Sequence, residues 1–302
     1  MTEETTMRAV RLTTAGGPEA LELEKISTPR PRPGEALVKV HAAAITRDEL
    51  EWPVDRVPAI PSYELSGVVA AVADDVRDVA VGDAVCALLP FDRDGAAADY
   101  VAAPANLLAP KPDVLDHIET SALPLPALSA WQALFDHGGL EAGQRVLILG
   151  AAGGVGHLAV QIARARGAYV VAAAPQRHAD WVLSLGADDV TDAERWPVDR
   201  PEPVDLVFDT VGGDRLTRAT TFLGRGGKMV TVAAPPPTGI AADYFVVEPN
   251  HDQLIELTRL ANDGHLRPQI DSVFALEDAR AAFQRSMAAG KRGKVVLRVA
   301  DD

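Results

Sequence analysis

Cysteine is almost missing from this sequence. Cys86 is the only one in 302 residues, which excludes an intrachain disulfide and any thiolate cage for zinc. Long apolar runs are missing as well. None reaches the roughly 20 residues that a bilayer requires, and Met1-Thr2-Glu3-Glu4-Thr5-Thr6 is acidic and polar where a secretory leader is basic and then apolar. These absences give the expectation of a cytoplasmic protein with no membrane contact. A basic excess is the third absence: the formal charge is -14 and the arginines are scattered among acids, so no nucleic-acid partner is expected. Arg30-Pro31-Arg32-Pro33 is a local exception that reads as a stiff loop. What remains, 47% apolar and 24% charged residues, is ordinary for a globular protein, and the length allows two domains.

The stretch from Arg145 to Gly167 organises the rest. Val146 to Leu149 is a short apolar run of the kind buried on both faces of a parallel sheet, and a glycine-rich turn follows it. After the turn, Leu158, Ile162 and Ala165 share helical spacing with Val155, and Gly167 stands where a helix stops. A second apolar run, 168–173, completes a βαβ unit. Ala151-x-Gly153-x-x-Gly156 is the dinucleotide pattern G-x-G-x-x-G with alanine in the first glycine's place. Ala151, Gly153, Gly154, Val155 and Gly156 are therefore candidate cofactor contacts, since backbone N–H groups at a helix start suit a pyrophosphate.

Short β-type runs at 7–12, 21–24, 36–45, 67–72 and 83–89 suggest a partly closed barrel. From residue 119 the pattern changes to strands alternating with helices: a helix over 121–135, the βαβ unit, a helix over 178–185, strands at 189–191 and 204–209, a helix over 214–222 and a strand at 228–232. That alternation predicts a doubly wound parallel sheet. Residues 243–247 are expected to add a sixth, edge strand, 251–262 and 277–289 read as amphipathic helices, and the strand at 294–299 could return to the barrel. The expected division is 1–118, 119–248 and 249–302.

Six segments in this order resemble the medium-chain dehydrogenase/reductase superfamily, and within it the zinc-independent quinone oxidoreductases. They are Pro61 to Val69, Val81 to Val85, Ala122 to Leu134, Leu149 to Gly156, Phe208 to Gly213 and Gly290 to Leu297. The resemblance implies an α/β fold in which a GroES-like barrel, built from both ends of the chain, carries a Rossmann domain inserted between them. It also locates what is lost. Thr46 stands where zinc-dependent relatives have their first cysteine, Ser62-Tyr63-Glu64 where they have Gly-His-Glu, and Leu125-Pro126-Ala127 where the third ligand falls. No metal is expected, so the acceptor should be electrophilic unaided: a quinone or an α,β-unsaturated carbonyl.

An NAD-preferring Rossmann domain has an acid at the end of its second strand, and here that place reads Ala172-Ala173-Ala174-Pro175-Gln176-Arg177-His178. Arg177 and His178 suit a 2′-phosphate, which makes NADPH the expected coenzyme. The resemblance adds Ser129, and the carboxyl ends of the fourth and fifth strands add Asp209, Thr210, Val211, Ala233 and Ala234; Asp209 could equally cap the next helix. Tyr63, Thr46 and Arg47 are the catalytic candidates. Tyr63 could donate a proton or form an aromatic wall, and Arg47 could pair with Asp48 or Glu49. The expected activity is hydride transfer from NADPH to a quinone; the alternatives are an enone (2-alkenal) reductase and a low-turnover NADPH-binding protein. An apolar edge at Tyr244 to Val247 implies a homodimer by sheet extension.

Overall fold

Burial alternates along the first part of Glu35–Ile45, so Ala36, Val38 and Val40 are buried on one face while Lys39 is turned out; Ala42 to Ile45 are buried throughout, and this strand becomes the axis of a curved sheet. The computed structural model describes residues 5–52, 54–192 and 202–301; the acidic opening Met1–Glu4, read above as no leader, and Pro53 lie outside them. The chain divides into two units, Met1–Leu125 with Pro249–Asp302, and Pro126–Glu248.

In the first unit, β1 (Thr6–Leu12) and β2 (Leu21–Ser27) form an antiparallel pair. The larger sheet contains β3 (Glu35–Ile45), β4 (Glu64–Val72), β5 (Ala84–Leu88), β6 (Tyr100–Pro104), β7 (Ala109–Pro110), β14 (Ile270–Ala275) and β15 (Lys294–Arg298). Its order is β14-β15-β3-β4-β5-β7, with β6 also on β3. Two register shifts between β3 and β4 bend the pair, as bulges do in barrels. Gly67 sits at the closest approach: a Cβ there would lie 2.2 Å from the Lys39 carbonyl oxygen. The last strand, β15, pairs antiparallel with β3, Val295 opposite Ile45 and Arg298 opposite Ala42, so the two ends of the chain's sequence become neighbours.

The first break falls after Leu125, later than the expected residue 118. Helix α1 (His117–Ser121) stays with the barrel because Ile118 and Ala122 pack on Ala42, Ala44 and Val296, and the reciprocal cap between Asp116 and Glu119 fixes where it starts.

In the second unit the strands are β8 (Arg145–Leu149), β9 (Tyr169–Ala174), β10 (Asp189–Asp192), β11 (Val204–Asp209), β12 (Leu223–Thr231) and β13 (Asp243–Tyr244). They run parallel in the order β10-β9-β8-β11-β12-β13. Strand order reverses between β8 and β11, and ligands of such sheets collect at that point, beyond the carboxyl ends. Leu147, Leu149, Val207, Met229, Leu216 and Phe222 fill one face of the sheet beneath α5 (Gly213–Ala219). On the other side of the turn, α3 (Gly156–Ala165) has every residue from Gly156 to Ala163 buried. α4 (Ala179–Ser184) connects β9 to β10.

Two elements differ from expectation. The helix predicted over 121–135 is α2 (Pro124–Trp131), started by prolines that the first turn tolerates, and it continues as a π-turn through Gln132–His137. The edge strand predicted over 243–247 pairs only through Asp243 and Tyr244. Beyond it the chain turns away, held by the Glu248 N–H on the Gln132 side-chain oxygen and by a return bond from Gln132 Nε2 to the Glu248 carbonyl.

Candidate active site

The glycine-rich turn is built on a residue just before the recognised pattern. Gly150 has φ +74, and a Cβ there would lie 2.4 Å from Thr210 Oγ1, so glycine is required at 150 on two counts. Ala151 is then free to be alanine: it is fully buried and its N–H donates to the Ala173 carbonyl at 3.1 Å. The Gly153 N–H closes the turn on the Gly150 carbonyl at 2.8 Å. At Gly156 a Cβ would come within 2.2 Å of that same carbonyl oxygen, which is why the helix can approach the strand only through glycine. The amides of Gly154, Val155 and Gly156 make no bond to another backbone carbonyl among the described residues, and they open a helix of 10 residues. This is the geometry that receives a phosphate. His157 was not foreseen in this role: its Nδ1 bonds the Gly153 carbonyl at 2.8 Å, which fixes that peptide.

At the carboxyl ends of the next strands, Thr210 donates to the Leu149 carbonyl at 2.8 Å. Asp209 is fully buried and accepts from the Val211 and Gly212 amides at 3.0 Å and from Thr231 Oγ1 at 2.7 Å. Its carboxylate therefore shapes the turn ahead of α5. Val211, Ala233 and Ala234 are exposed at this edge. Arg177 is exposed and His178 half-buried in the single turn after β9, where no acid occurs, while Ser129 is buried in α2.

The catalytic candidates lie in the first unit, where the structure adds three residues that sequence reasoning missed. Glu49 is fully buried and accepts from the Thr46 amide at 3.1 Å through one oxygen and from the Ser62 amide at 3.2 Å through the other. Burial pushes this carboxyl up to about 8, against the opposing pull of the Thr46 N–H and the Lys294 charge. Ser62 has φ +67, the only non-glycine in the left-handed region among the described residues, and Glu49 holds both its N–H and its hydroxyl. Glu64, also fully buried, forms an ion pair with Lys294, and its second oxygen accepts from the Leu125 amide at 3.1 Å. Lys294 also donates to Thr46 Oγ1 at 3.1 Å.

Tyr63 is fully buried, its ring 5.6 Å from Trp52 and 5.3 Å from Phe91, and its oxygen accepts from Arg56 Nη2 at 3.2 Å. Burial pushes the phenol up to about 12, with Arg56 opposing. Thr46 is half-buried. Arg47 is exposed and lies 3.6 Å from Asp48, a surface pair worth little.

The same architecture recurs in solved proteins. The quinone oxidoreductase from Coxiella burnetii superposes with a TM-score of 0.88 at 29% identity, covering 98% of this chain and 100% of that one. Residues 32–113 match the alcohol dehydrogenase GroES-like domain family and 185–297 the zinc-binding dehydrogenase family. A probable zinc-binding oxidoreductase, mitochondrial, of Arthroderma benhamiae is 33% identical over 309 residues, 92% of this chain and 93% of its own. The chain belongs to the medium-chain dehydrogenase/reductase superfamily. Other members similar to it are the human NAD(P)H oxidoreductase RTN4IP1, mitochondrial (31% identical; 88% of this chain, 82% of that one), and the chloroplastic quinone-oxidoreductase QR1 of Triphysaria versicolor (29%; 96% and 98%). As a member of the superfamily this chain is an NAD(P)H-dependent oxidoreductase with a GroES-like domain and a parallel-sheet Rossmann domain. The expected cytoplasmic location is corrected by these relatives, which are named as mitochondrial or chloroplastic. What the chain itself displays is that no helix of the described residues is long and apolar enough to cross a membrane.

A zinc ion, implied by the family description, does not suit the donors present. Thr46 offers a hydroxyl already receiving an ammonium proton, Tyr63 a phenol bound to a guanidinium, and Leu125 no donor side chain. A buried Lys294 beside Thr46 adds positive charge where a cation would have to sit.

Proposed function

We propose that this protein reduces quinones with NADPH and needs no metal ion. Support for the coenzyme comes from the turn after β9, where Pro175 and Gln176 separate Ala174 from Arg177 and His178 and no carboxylate lies between to meet a ribose 2′-hydroxyl. The coenzyme would be held at its pyrophosphate by the amides of Gly154, Val155 and Gly156, with Gly153 and Ala151 shaping the turn beneath, and bordered by Ser129, Thr210, Val211, Ala233 and Ala234. When bound it supplies the hydride; the chain's part is to hold, orient and exclude water.

The observation that carries the quinone reading is the aromatic group of Trp52, Tyr63 and Phe91 in the first unit. Trp52 is exposed and packs at 4.7 Å on Phe91, with Tyr63 behind both, which offers a flat conjugated acceptor a face to stack on. Tyr63, with its hydroxyl held by Arg56 and its proton tightly bound, serves this reading as the wall. Arg47, exposed on the same segment, would meet anionic groups of coenzyme or acceptor. Relatives named as quinone oxidoreductases support the same class. An enone is the second acceptor class, since it is equally electrophilic without a metal.

The exposed Tyr244 and Val246 at the β13 edge support a homodimer formed by pairing two such edges. The test of function is consumption of NADPH and NADH at 340 nm across a panel of quinones and enones. Preference for NADPH with a naphthoquinone supports the proposal; equal use of NADH, or tight NADPH binding without turnover, defeats it.

A further inference from the structure

Lys294 and Glu64 are the most deeply buried ion pair among the described residues, the side chains 6% and 0% exposed. Such a pair is costly to bury, and two apolar side chains would often stabilise a fold better, so its position invites a functional reason. It does not lie in the middle of the core. It lies under Thr46, the first residue past β3, brought there because β15 pairs with the end of that strand.

The hydrogen-bond chemistry at Thr46 has only one consistent arrangement. An ammonium has no acceptor, so the 3.1 Å contact from Lys294 Nζ to Thr46 Oγ1 is donated by lysine. The Thr46 amide is already taken by Glu49 at 3.1 Å. Only the hydroxyl proton is left to act. In this structure it faces Glu64 Oε1 at 3.3 Å, a long bond where a hydroxyl to a carboxylate ordinarily closes to about 2.6 Å. Glu64 gives little up by losing it, since the same oxygen keeps Lys294 and the other keeps the Leu125 amide. A hydroxyl that receives a proton from a buried cation is polarised toward donating its own, and Thr46 is half-buried, so an incoming ligand can reach it.

We propose that Thr46 donates a hydrogen bond to the acceptor oxygen as negative charge develops there, and that Lys294, clamped by Glu64, is the positioning residue that polarises and aims the Thr46 hydroxyl. This rests on the reading that quinones or enones are reduced in the first unit. The pair supplies, through one hydroxyl, the positive field that a metal would otherwise supply. Glu49 completes the support: by holding the Thr46 and Ser62 amides on its two oxygens it fixes Thr46 against the segment that carries Tyr63.

Removal of one donor to a developing oxyanion lowers kcat by on the order of 10²-fold. The experiment measures kcat, KM and coenzyme Kd, the last by nucleotide fluorescence, for the wild type and three sets of variants against a series of naphthoquinones and enones. Thr46→Val is expected to lower kcat about 100-fold, most for the least electrophilic acceptors, with KM and coenzyme Kd within about twofold; Thr46→Ser should recover it to within about threefold. Glu64→Gln with Lys294→Met removes the cation without orphaning the acid, and in that background Thr46→Val should cost less than about threefold, because an unpolarised hydroxyl has little to lose. Thr46→Val at wild-type kcat, or effects that multiply independently in the triple variant, overturns the proposal. Should the paired variant not fold, Lys294→Arg replaces it: retained charge is expected to hold kcat well above that of Thr46→Val, and a folded Lys294→Arg whose kcat is as low as that of Thr46→Val, with coenzyme Kd unchanged, refutes the role. A wild type that binds coenzyme yet reduces no acceptor defeats the functional reading itself, and this proposal with it; a wild type that turns over while Thr46→Val is unaffected defeats this proposal alone.

Discussion

Replacing Glu49 by Gln should reverse the order of stability of the two proteins across the ordinary pH range. The carboxyl is fully buried and its pKa is raised from 4.5 to about 8, so the folded protein holds a proton there that the unfolded chain releases. Stability from this group is complete below about pH 4.5 and is lost as pH rises toward 8. At about 1.4 kcal/mol per pH unit, the gap between 4.5 and about 8 amounts to roughly 5 kcal/mol. Glutamine keeps the shape and does not titrate, but its NH₂ must face one of the two amides, Thr46 or Ser62, that now meet oxygens. That donor-against-donor contact costs roughly 2 kcal/mol at every pH. The wild type is therefore the more stable protein at pH 5, the curves cross near about pH 6, and the variant is more stable by roughly 3 kcal/mol above pH 8. Urea unfolding of both proteins from pH 5 to 9 in one buffer series gives the difference directly. A difference that does not change with pH would refute the reasoning, because it would mean that Glu49 ionises equally in the folded and unfolded chain.

Arg177→Ala should raise the NADPH Kd by about 10-fold and leave the NADH Kd within twofold, as measured by nucleotide fluorescence, since a charge-assisted bond to the 2′-phosphate is what it removes. Gly150→Ala places a Cβ 2.4 Å from Thr210 Oγ1 at φ +74, so calorimetry should find coenzyme binding lost or the protein destabilised by roughly 2 kcal/mol, whereas Ala151→Gly should leave both nearly unchanged. Tyr63→Phe removes a hydroxyl whose proton is held up to about 12, and kcat on naphthoquinones is expected to stay within about threefold; a 100-fold loss would restore Tyr63 as the acid. Val246→Asp, at a position 58% exposed beside the β13 edge, should convert a dimer to a monomer by light scattering, with the coenzyme Kd unaltered.

The parallel sheet was legible because its signals are local. An apolar run, a glycine turn and a helical period sit within Arg145 to Gly167, and the structure places β8, the turn and α3 there. The position that needs glycine was one step out of frame: the pattern pointed to Ala151, while the left-handed backbone and the crowding belong to Gly150. Glu49, Glu64 and Lys294 were not legible as a group. Lys294 lies 230 residues from Glu64 in sequence and reaches it only because β15 pairs with β3, a contact no local pattern announces. Asp209 illustrates the converse. Its place at the end of β11 was readable, but only its bonds to Val211, Gly212 and Thr231 reveal that the carboxylate is engaged in shaping the turn. The shortened edge at β13 follows from side-chain bonds at Gln132, again distant in sequence.

Metal-free reduction by NADPH is tested most directly by the rate of NADPH oxidation at 340 nm with a 1,4-naphthoquinone, before and after exhaustive dialysis against a zinc chelator. The same rate is expected in both. A rate abolished by the chelator and restored by added zinc would contradict it.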